Sequence, residues 1–401
     1  MKIFNIFFEK VKENYILLFC IYFVTIFLDT TTLRIDFPIL ETVCKIIRYI
    51  IYSLFIIRTI IVLPDIKKNV IKLKISKENI VILTFILLFI ISIIGNFVIT
   101  GEKRLIFLSL VLIASYNVDY DKIIKNMMKL QIILTTFIVA LSIMGITQNY
   151  IVYRGIECRY SLGFGYTTSL AQLVLFSILL AIYGKEFKLD IIEIFYIQLI
   201  NLFTYFITDS RAEFIFLEFI IISSFIYNIG VLNKIEKIKK YVSKTFVYTF
   251  WTYPVLSFFI IYLYPVGDIF EKINKILSNR LLQSYNILKQ YGVKLFGNNI
   301  EFIGNGIADK LKYGPNVASN YVDNEYLQLL FLYGMLFICI FVILVTIMLI
   351  NLERKGKYKE IFVCFIYLTF GLLNPRIINL IYSPIPFILM HEIIKCLKKE
   401  E

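Results

Sequence analysis

Histidine is nearly absent from the 401 residues, with His391 its one occurrence, near the end of the last apolar segment. Its position there reads as bystander packing, so a general base elsewhere in the chain must be a carboxylate. The candidates are Glu157, Asp209, Glu213, Asp268, Glu301, Asp309, Asp323 and Glu325. The six Cys are scattered through apolar runs with no paired spacing, which argues against a disulfide framework and a zinc site. No P-loop, dinucleotide fingerprint or metal-ligand cluster occurs, and no metal or cofactor is expected. Acidic residues are outnumbered 29 to 42 by Lys and Arg. The lysines lie in short loops between apolar segments, which is a topology signal and excludes a nucleic-acid surface.

Long polar stretches are also scarce. Hydrophobic residues make up 59% of the chain, and the mean hydropathy is +0.78. Apolar runs follow one another at 15–28, 40–63, 80–99, 104–118, 130–148, 167–183, 190–207, 212–229, 246–265, 326–350, 361–373 and 378–394. At about 20 residues per crossing, this predicts an all-α, polytopic integral membrane protein of about 12 transmembrane helices. Residues 1–401 form a single membrane domain, and Met1-Lys2 begins a retained first helix with no cleavage site. The second run is interrupted by Lys45, Arg48 and Arg58, which places its core at 46–63.

With both termini cytoplasmic, 25 of the 42 basic residues fall on the inner side, and 24 of those are Lys. Arg34, Arg104, Arg154, Arg159, Arg211, Arg280 and Arg376 fall on the outer side instead. Topology requires only positive charge. Arginine adds a planar fork that binds phosphate bidentately and keeps its charge in a dry site. Convergence of several of these arginines on one anionic ligand, a diphosphate at the outer leaflet, is therefore expected.

One polar interval breaks the apolar pattern. Between helices 9 and 10, residues 266–325 form a long extracytoplasmic loop, and loops of that length are usually functional. Within it, Val266–Val293 carries Ile269, Ile273, Ile276, Leu277, Leu281, Tyr285 and Leu288 at helical spacing, predicting an amphipathic helix that covers the outer face. Asp323 and Asn324 stand where the tenth run begins, in reach of a capping role as well as a catalytic one. Thr208-Asp209-Ser210-Arg211 hinges two runs and sets a carboxylate beside a guanidinium.

These segments resemble the Wzy-type polymerases of the O-antigen ligase/polymerase superfamily. Arg159-Tyr-Ser-Leu-Gly-Phe-Gly165 is similar to an Arg-x-Ser-Leu-Gly-Phe segment of capsule and exopolysaccharide polymerases, although Tyr166-Thr167-Thr168 replaces the Pro-Asn that commonly follows. Thr208–Arg211 resembles the family's Thr-x-Ser-Arg. Leu277-Ser-Asn-Arg280, with Leu295-Phe-Gly297 and Gly304-Asn-Gly306, resembles its Ser-x-Arg loop. Val322-Asp-Asn-Glu-Tyr326 with Tyr333-Gly334 resembles its Asp-Asn-x-Tyr…Tyr-Gly segment. The likeness spans roughly 150–335 in family order.

It implies a metal-independent glycosyltransferase of the bacterial cytoplasmic membrane that joins undecaprenyl-diphosphate-linked oligosaccharides. Arg154, Arg159, Arg211, Arg280, Ser210, Asn324 and Tyr326 would bind the donor, with Asp209 or Asp323 near the acceptor. Membrane lipids, a flippase and a chain-length regulator of the same pathway are the further expected partners. A ligase of the same superfamily and a lipid-linked oligosaccharide flippase are the alternatives, but a transporter would carry internal repeats and broken midplane helices.

Overall fold

A computed structural model of the chain describes residues 10–71, 76–154, 156–228, 236–264, 268–276 and 279–398. Met1-Lys2, Val266 and Leu277-Ser278, named above, lie outside them, as do several of the inner-side lysines. The helices in order are α1 (Tyr15–Leu28), α2 (Leu33–Asp36), α3 (Pro38–Ile71), α4 (Lys77–Thr100), α5 (Arg104–Ala114), α6 (Tyr120–Ile143), α7 (Thr167–Gly184), α8 (Ile191–Thr208) and α9 (Arg211–Asn228). They continue as α10 (Glu236–Thr249), α11 (Thr252–Leu263), α12 (Asp268–Ile276), α13 (Arg280–Tyr291), α14 (Ile307–Tyr313), α15 (Glu325–Arg354), α16 (Tyr358–Phe370) and α17 (Ile385–Lys398). The loop between α6 and α7 holds a short hairpin, β1 (Ile151–Arg154) against β2 (Glu157–Tyr160).

Among the described residues, α3, α4, α6, α7, α8 and α15 are long and apolar enough to cross a membrane. Their outward faces are apolar, with Val98, Ile99 and Phe206 among the most exposed side chains, as lipid-facing surfaces require. The molecule is a helical membrane protein. Two expected spans come out shorter, α17 at 14 residues and α5 at 11, while α1 and α16 have the expected 14 and 13. The expected ninth span is broken, since α10 and α11 meet at a 49° bend three residues before Pro254, whose ring and missing N–H suit only the first turn of a new helix.

The interrupted second run is a continuous helix of 34 residues, because each of its charges finds a partner. Lys45 pairs with Glu41 at 2.6 Å. Arg48 grips Asp29 through two nitrogens, at 2.6 and 3.0 Å. Arg58 is buried, donates to the carbonyls of Ala114 (2.6 Å) and Val11 (3.1 Å), and lies over the Tyr15 ring. It thereby satisfies an orphan carbonyl at the end of α5, where helix polarity also favours a cation.

Helix directions divide the bundle into two ends. One carries the lysine loops, where Lys357 and Lys395 flank the buried Glu392. The other carries Arg154, Arg159, Arg211, Arg280 and Arg376, together with the long loop. A break in α15 joins that loop to the bundle. Gly334 leaves the helical conformation at φ 92°, freeing backbone groups that residues 294–298 then satisfy. Met335 N–H donates to Lys294 O (2.9 Å), Leu336 N–H to Leu295 O (3.1 Å), and Asn298 N–H to Phe331 O (2.9 Å). From α4, Asn96 Nδ2 donates to Phe296 O (2.7 Å) and Leu332 O (2.8 Å). Non-helical backbone inside a membrane bundle persists where such partners exist. Leu295-Phe-Gly297 and Tyr333-Gly334, separate motifs in the sequence, form one joint.

The predicted single amphipathic helix over Val266–Val293 is two helices. Asn279, at φ 66°, separates α12 from α13. Asn274 organises the turn: its Nδ2 donates to Asn279 Oδ1 (3.1 Å), and its Oδ1 accepts from Leu282 N–H (3.1 Å). On α13, Leu281, Ser284 and Ile287 face inward, whereas Ile273 of α12 is exposed.

Candidate arginine-rich site

The β1–β2 hairpin, absent from the sequence expectation, places the first two arginines. Register pairs Arg159 with Val152 and Arg154 with Glu157, and positions two apart on a strand share a face, so both arginines point to the same side of the hairpin. Arg159 is 2% exposed there, while the Arg154 side chain, at the turn end, remains 43% exposed.

The hinge after α8 receives them. Asp209 ends the helix in a left-handed conformation (φ 44°, ψ 42°), its N–H bonded to Tyr205 O. Aspartate tolerates that region better than most residues because its short side chain bonds locally. The conformation turns the Asp209 carboxylate toward Arg154 (2.9 Å) and Arg211 (3.3 Å) at once. Arg159 Nε donates to Thr208 O at 2.7 Å, and another nitrogen of its guanidinium is buried without a partner. Burial, reinforced by the neighbouring Arg154 charge, presses Arg159 below its ordinary pKa. A buried donor in that condition is costly unless a further acceptor arrives. Ser210 is buried beside them and donates weakly to Thr208 O (3.5 Å).

The second half of the site descends from the long loop and from the connection between α16 and α17. Arg280, the first residue of α13, pairs through Nε with Asp323 at 2.9 Å and donates to Leu373 O at 3.0 Å. Burial holds Asp323 above the ordinary aspartate pKa, with Arg280 and Arg376 opposing. Arg376 stacks over the Tyr382 ring and donates from Nε to Gln172 Oε1 at 2.6 Å. Gln172 passes the contact on, its Nε2 donating to Glu213 Oε1 at 3.0 Å. Glu213 is 4% exposed and lies within electrostatic reach of both Arg280 and Arg159. It is therefore the point where hinge and roof meet.

No family model, curated protein or solved structure matches the chain. The site must be read from its own geometry.

That geometry divides the residues singled out by sequence. Arg154, Arg159, Arg211, Asp209 and Ser210 are brought together at the hinge, and Arg280 and Asp323 form the facing pair. Asp209 is engaged by two guanidiniums. Asn324 and Tyr326 work as structure: Asn324 caps α15 through Leu327 N–H (3.1 Å) and donates to Ser257 Oγ (2.9 Å) and Leu372 O (3.2 Å). The Tyr326 hydroxyl, fully buried, donates to Leu368 O at 2.6 Å.

Three participants escaped the sequence reading of the site. Glu213 and Arg376 stood only among the outer carboxylates and arginines, and Gln172 was not considered. A lone Gln within an apolar run is a usable signal, since intramembrane polar groups find partners across helices. Glu325 is a fourth, its Oε2 accepting from Ile377 N–H at 3.0 Å and fixing the connection that carries Arg376.

Proposed function

We propose that the chain is a Wzy-type polymerase that joins lipid-diphosphate-linked glycan units at the outer face of a bacterial cytoplasmic membrane. The observation that carries the reading is the buried Arg159, which donates to Thr208 O, has Tyr166 as a further partner and retains one unpartnered guanidinium nitrogen. Arg154 and Arg211 sit beside it on a single shared carboxylate, with Glu157 the further anion near Arg211, so three guanidiniums gather at the hinge. An anion with several oxygens, such as a diphosphate, meets both needs. On this reading the lysine end is cytoplasmic, both termini lie on that side, and the shorter helices with the bent α10–α11 pair complete about twelve crossings.

In the reaction, a hydroxyl oxygen of one glycan attacks the anomeric carbon of the other. The carbon–oxygen bond to the diphosphate breaks, and the diphosphate leaves with the electron pair. Arg159, Arg154 and Arg211 stabilise the charge as it develops, where preorganised donors act most strongly. The acceptor proton passes to a carboxylate. Asp323 is better suited than Asp209, whose oxygens are occupied by two arginines. Arg280 orients Asp323 from the roof.

The test replaces Arg159 and Arg211 separately with Lys, which preserves charge and removes the fork, with Arg104→Lys as an exposed control. Surface glycan from the native cell is then resolved on a gel. Loss of the gene and both site variants should give single-repeat products, while the control gives the full ladder. Full-length polymer from both site variants, at normal protein levels in the membrane, overturns the proposal.

A further inference from the structure

At the lysine end, α4, α15 and α17 leave a groove of about 1040 Å³ between them. Its floor is apolar, formed by Val81, Ile82, Ile347 and Ile350. Its rim carries five basic residues, Lys77 at the start of α4, Arg354 at the end of α15, and Lys355, Lys357 and Lys395 nearby, against the one carboxylate of Glu78. The charges are placed unevenly. Glu392, fully buried behind the wall, holds Lys357 at 3.2 Å and Lys395 at 3.9 Å and accepts from Asn351 at 2.6 Å. Among the described residues, Lys77 and Arg354 have no carboxylate partner, and both are exposed. Positive topology charge alone needs no such separation into a fixed inner pair and an open outer pair.

We propose that this groove binds one anionic phospholipid, its phosphate between Lys77 and Arg354 and an acyl chain along the floor. The charge balance of the rim selects a negative headgroup. The floor selects a lipid over a soluble phosphate, because it runs along α4 and α15, both of membrane-crossing length and composition. Basic pockets between helices at the cytoplasmic side recognise anionic headgroups in this way. The N-terminus of α4, capped by Ser76 through Asn79 N–H at 3.2 Å, adds its positive pole to the same rim.

The test uses the full-length protein in detergent, exposed to equal amounts of phosphatidylglycerol and phosphatidylcholine and read by native mass spectrometry. The parent should retain phosphatidylglycerol in preference, even with excess inorganic phosphate present. The double variant Lys77→Gln/Arg354→Gln should lose roughly tenfold or more of that preference, the order expected for two cations near an anionic surface. Lys122→Gln/Lys125→Gln, removing equal charge from exposed positions on α6 at the same end, should keep it. Equal retention of the two lipids by the parent overturns the proposal. So does an equal loss in the α6 control, which would indicate diffuse attraction only, or displacement of the lipid by phosphate.

Discussion

Gly297→Ala probes the joint between the long loop and α15. Gly297 lies at φ 87°, and a β-carbon there would stand 2.1 Å from the Leu332 carbonyl oxygen, 2.5 Å from its carbon and 2.8 Å from Tyr333 N. All three are backbone atoms, so no rotamer change relieves the overlap. Loop and helix must part by about 1 Å, which carries contacts now at 2.8–3.1 Å past hydrogen-bonding range. Four bonds are at risk: those from Asn298, Met335 and Leu336 N–H and from Asn96 Nδ2 to Leu332 O. At about 1 kcal/mol net for each, with a further ~1 kcal/mol for an L-residue in the left-handed region, the loss approaches 5 kcal/mol.

Gly101→Ala supplies the control. Its φ is 74°, yet nothing lies within 4 Å of the added carbon, so only the left-handed penalty of ~1 kcal/mol applies. Both variants would be heated in one detergent and the surviving folded fraction read by size-exclusion chromatography. Gly297→Ala should lose several times the melting temperature lost by Gly101→Ala, or fail to fold. Equal shifts would refute the idea that residues 294–298 complete the broken helix.

Two further outcomes follow from buried charge. Arg58→Met leaves the Ala114 and Val11 carbonyls without their donor and should destabilise the detergent-solubilised protein by about 2 kcal/mol. A variant as stable as the parent would show that those contacts contribute nothing. Asp323 is held above the ordinary aspartate pKa, so the folded state binds its proton more tightly than the unfolded state does. Its contribution to stability therefore falls as pH rises from about 3.9 through the raised folded value. Asp323→Asn should flatten that part of the melting-temperature profile, and an unchanged difference between variant and parent across pH would contradict the assignment.

The positions of the long helices were legible because a membrane imposes one strong rule, a sustained apolar run, and α4, α7 and α8 begin and end within three residues of their expected spans. Their terminators are also local: Gly101 in the left-handed region after α4, and the Asp190–Glu193 capping box before α8. The bend between α10 and α11 is marked by Pro254, a signal that hydropathy, by which the run 246–265 is recognised, does not register. The hairpin was hidden because two strands of four residues are too short for alternation to stand out. Arg154, Arg159, Arg211, Arg280 and Arg376, grouped by sequence on one side, do gather at one end of the bundle. The partners were not legible, since Arg376 meets Gln172 across 204 positions and Asn96 meets Leu332 across 236. No local pattern encodes contacts of that kind.

The arginines and lysines also differ in how they are held, which bears on what each end can do. Lys357 and Lys395 converge on one buried carboxylate and serve as its counter-ions. At the opposite end Arg154 and Arg211 likewise share one carboxylate, Asp209, but a third cation, Arg159, is added there and held by a backbone carbonyl that contributes no full charge. Asp209 positions its two guanidiniums without neutralising both, and both of its oxygens are engaged in doing so. On the proposed reading this separates the roles. The hinge supplies fixed positive charge for a departing diphosphate, and proton transfer belongs to the roof, where burial already favours the protonated form of Asp323. Glu213, bonded to Gln172 and reached by both Arg159 and Arg280, couples the two halves. A site assembled from hinge and roof in this way is complete only when the loop is seated, so on the proposed reading the Gly297–Gly334 joint determines activity as well as stability.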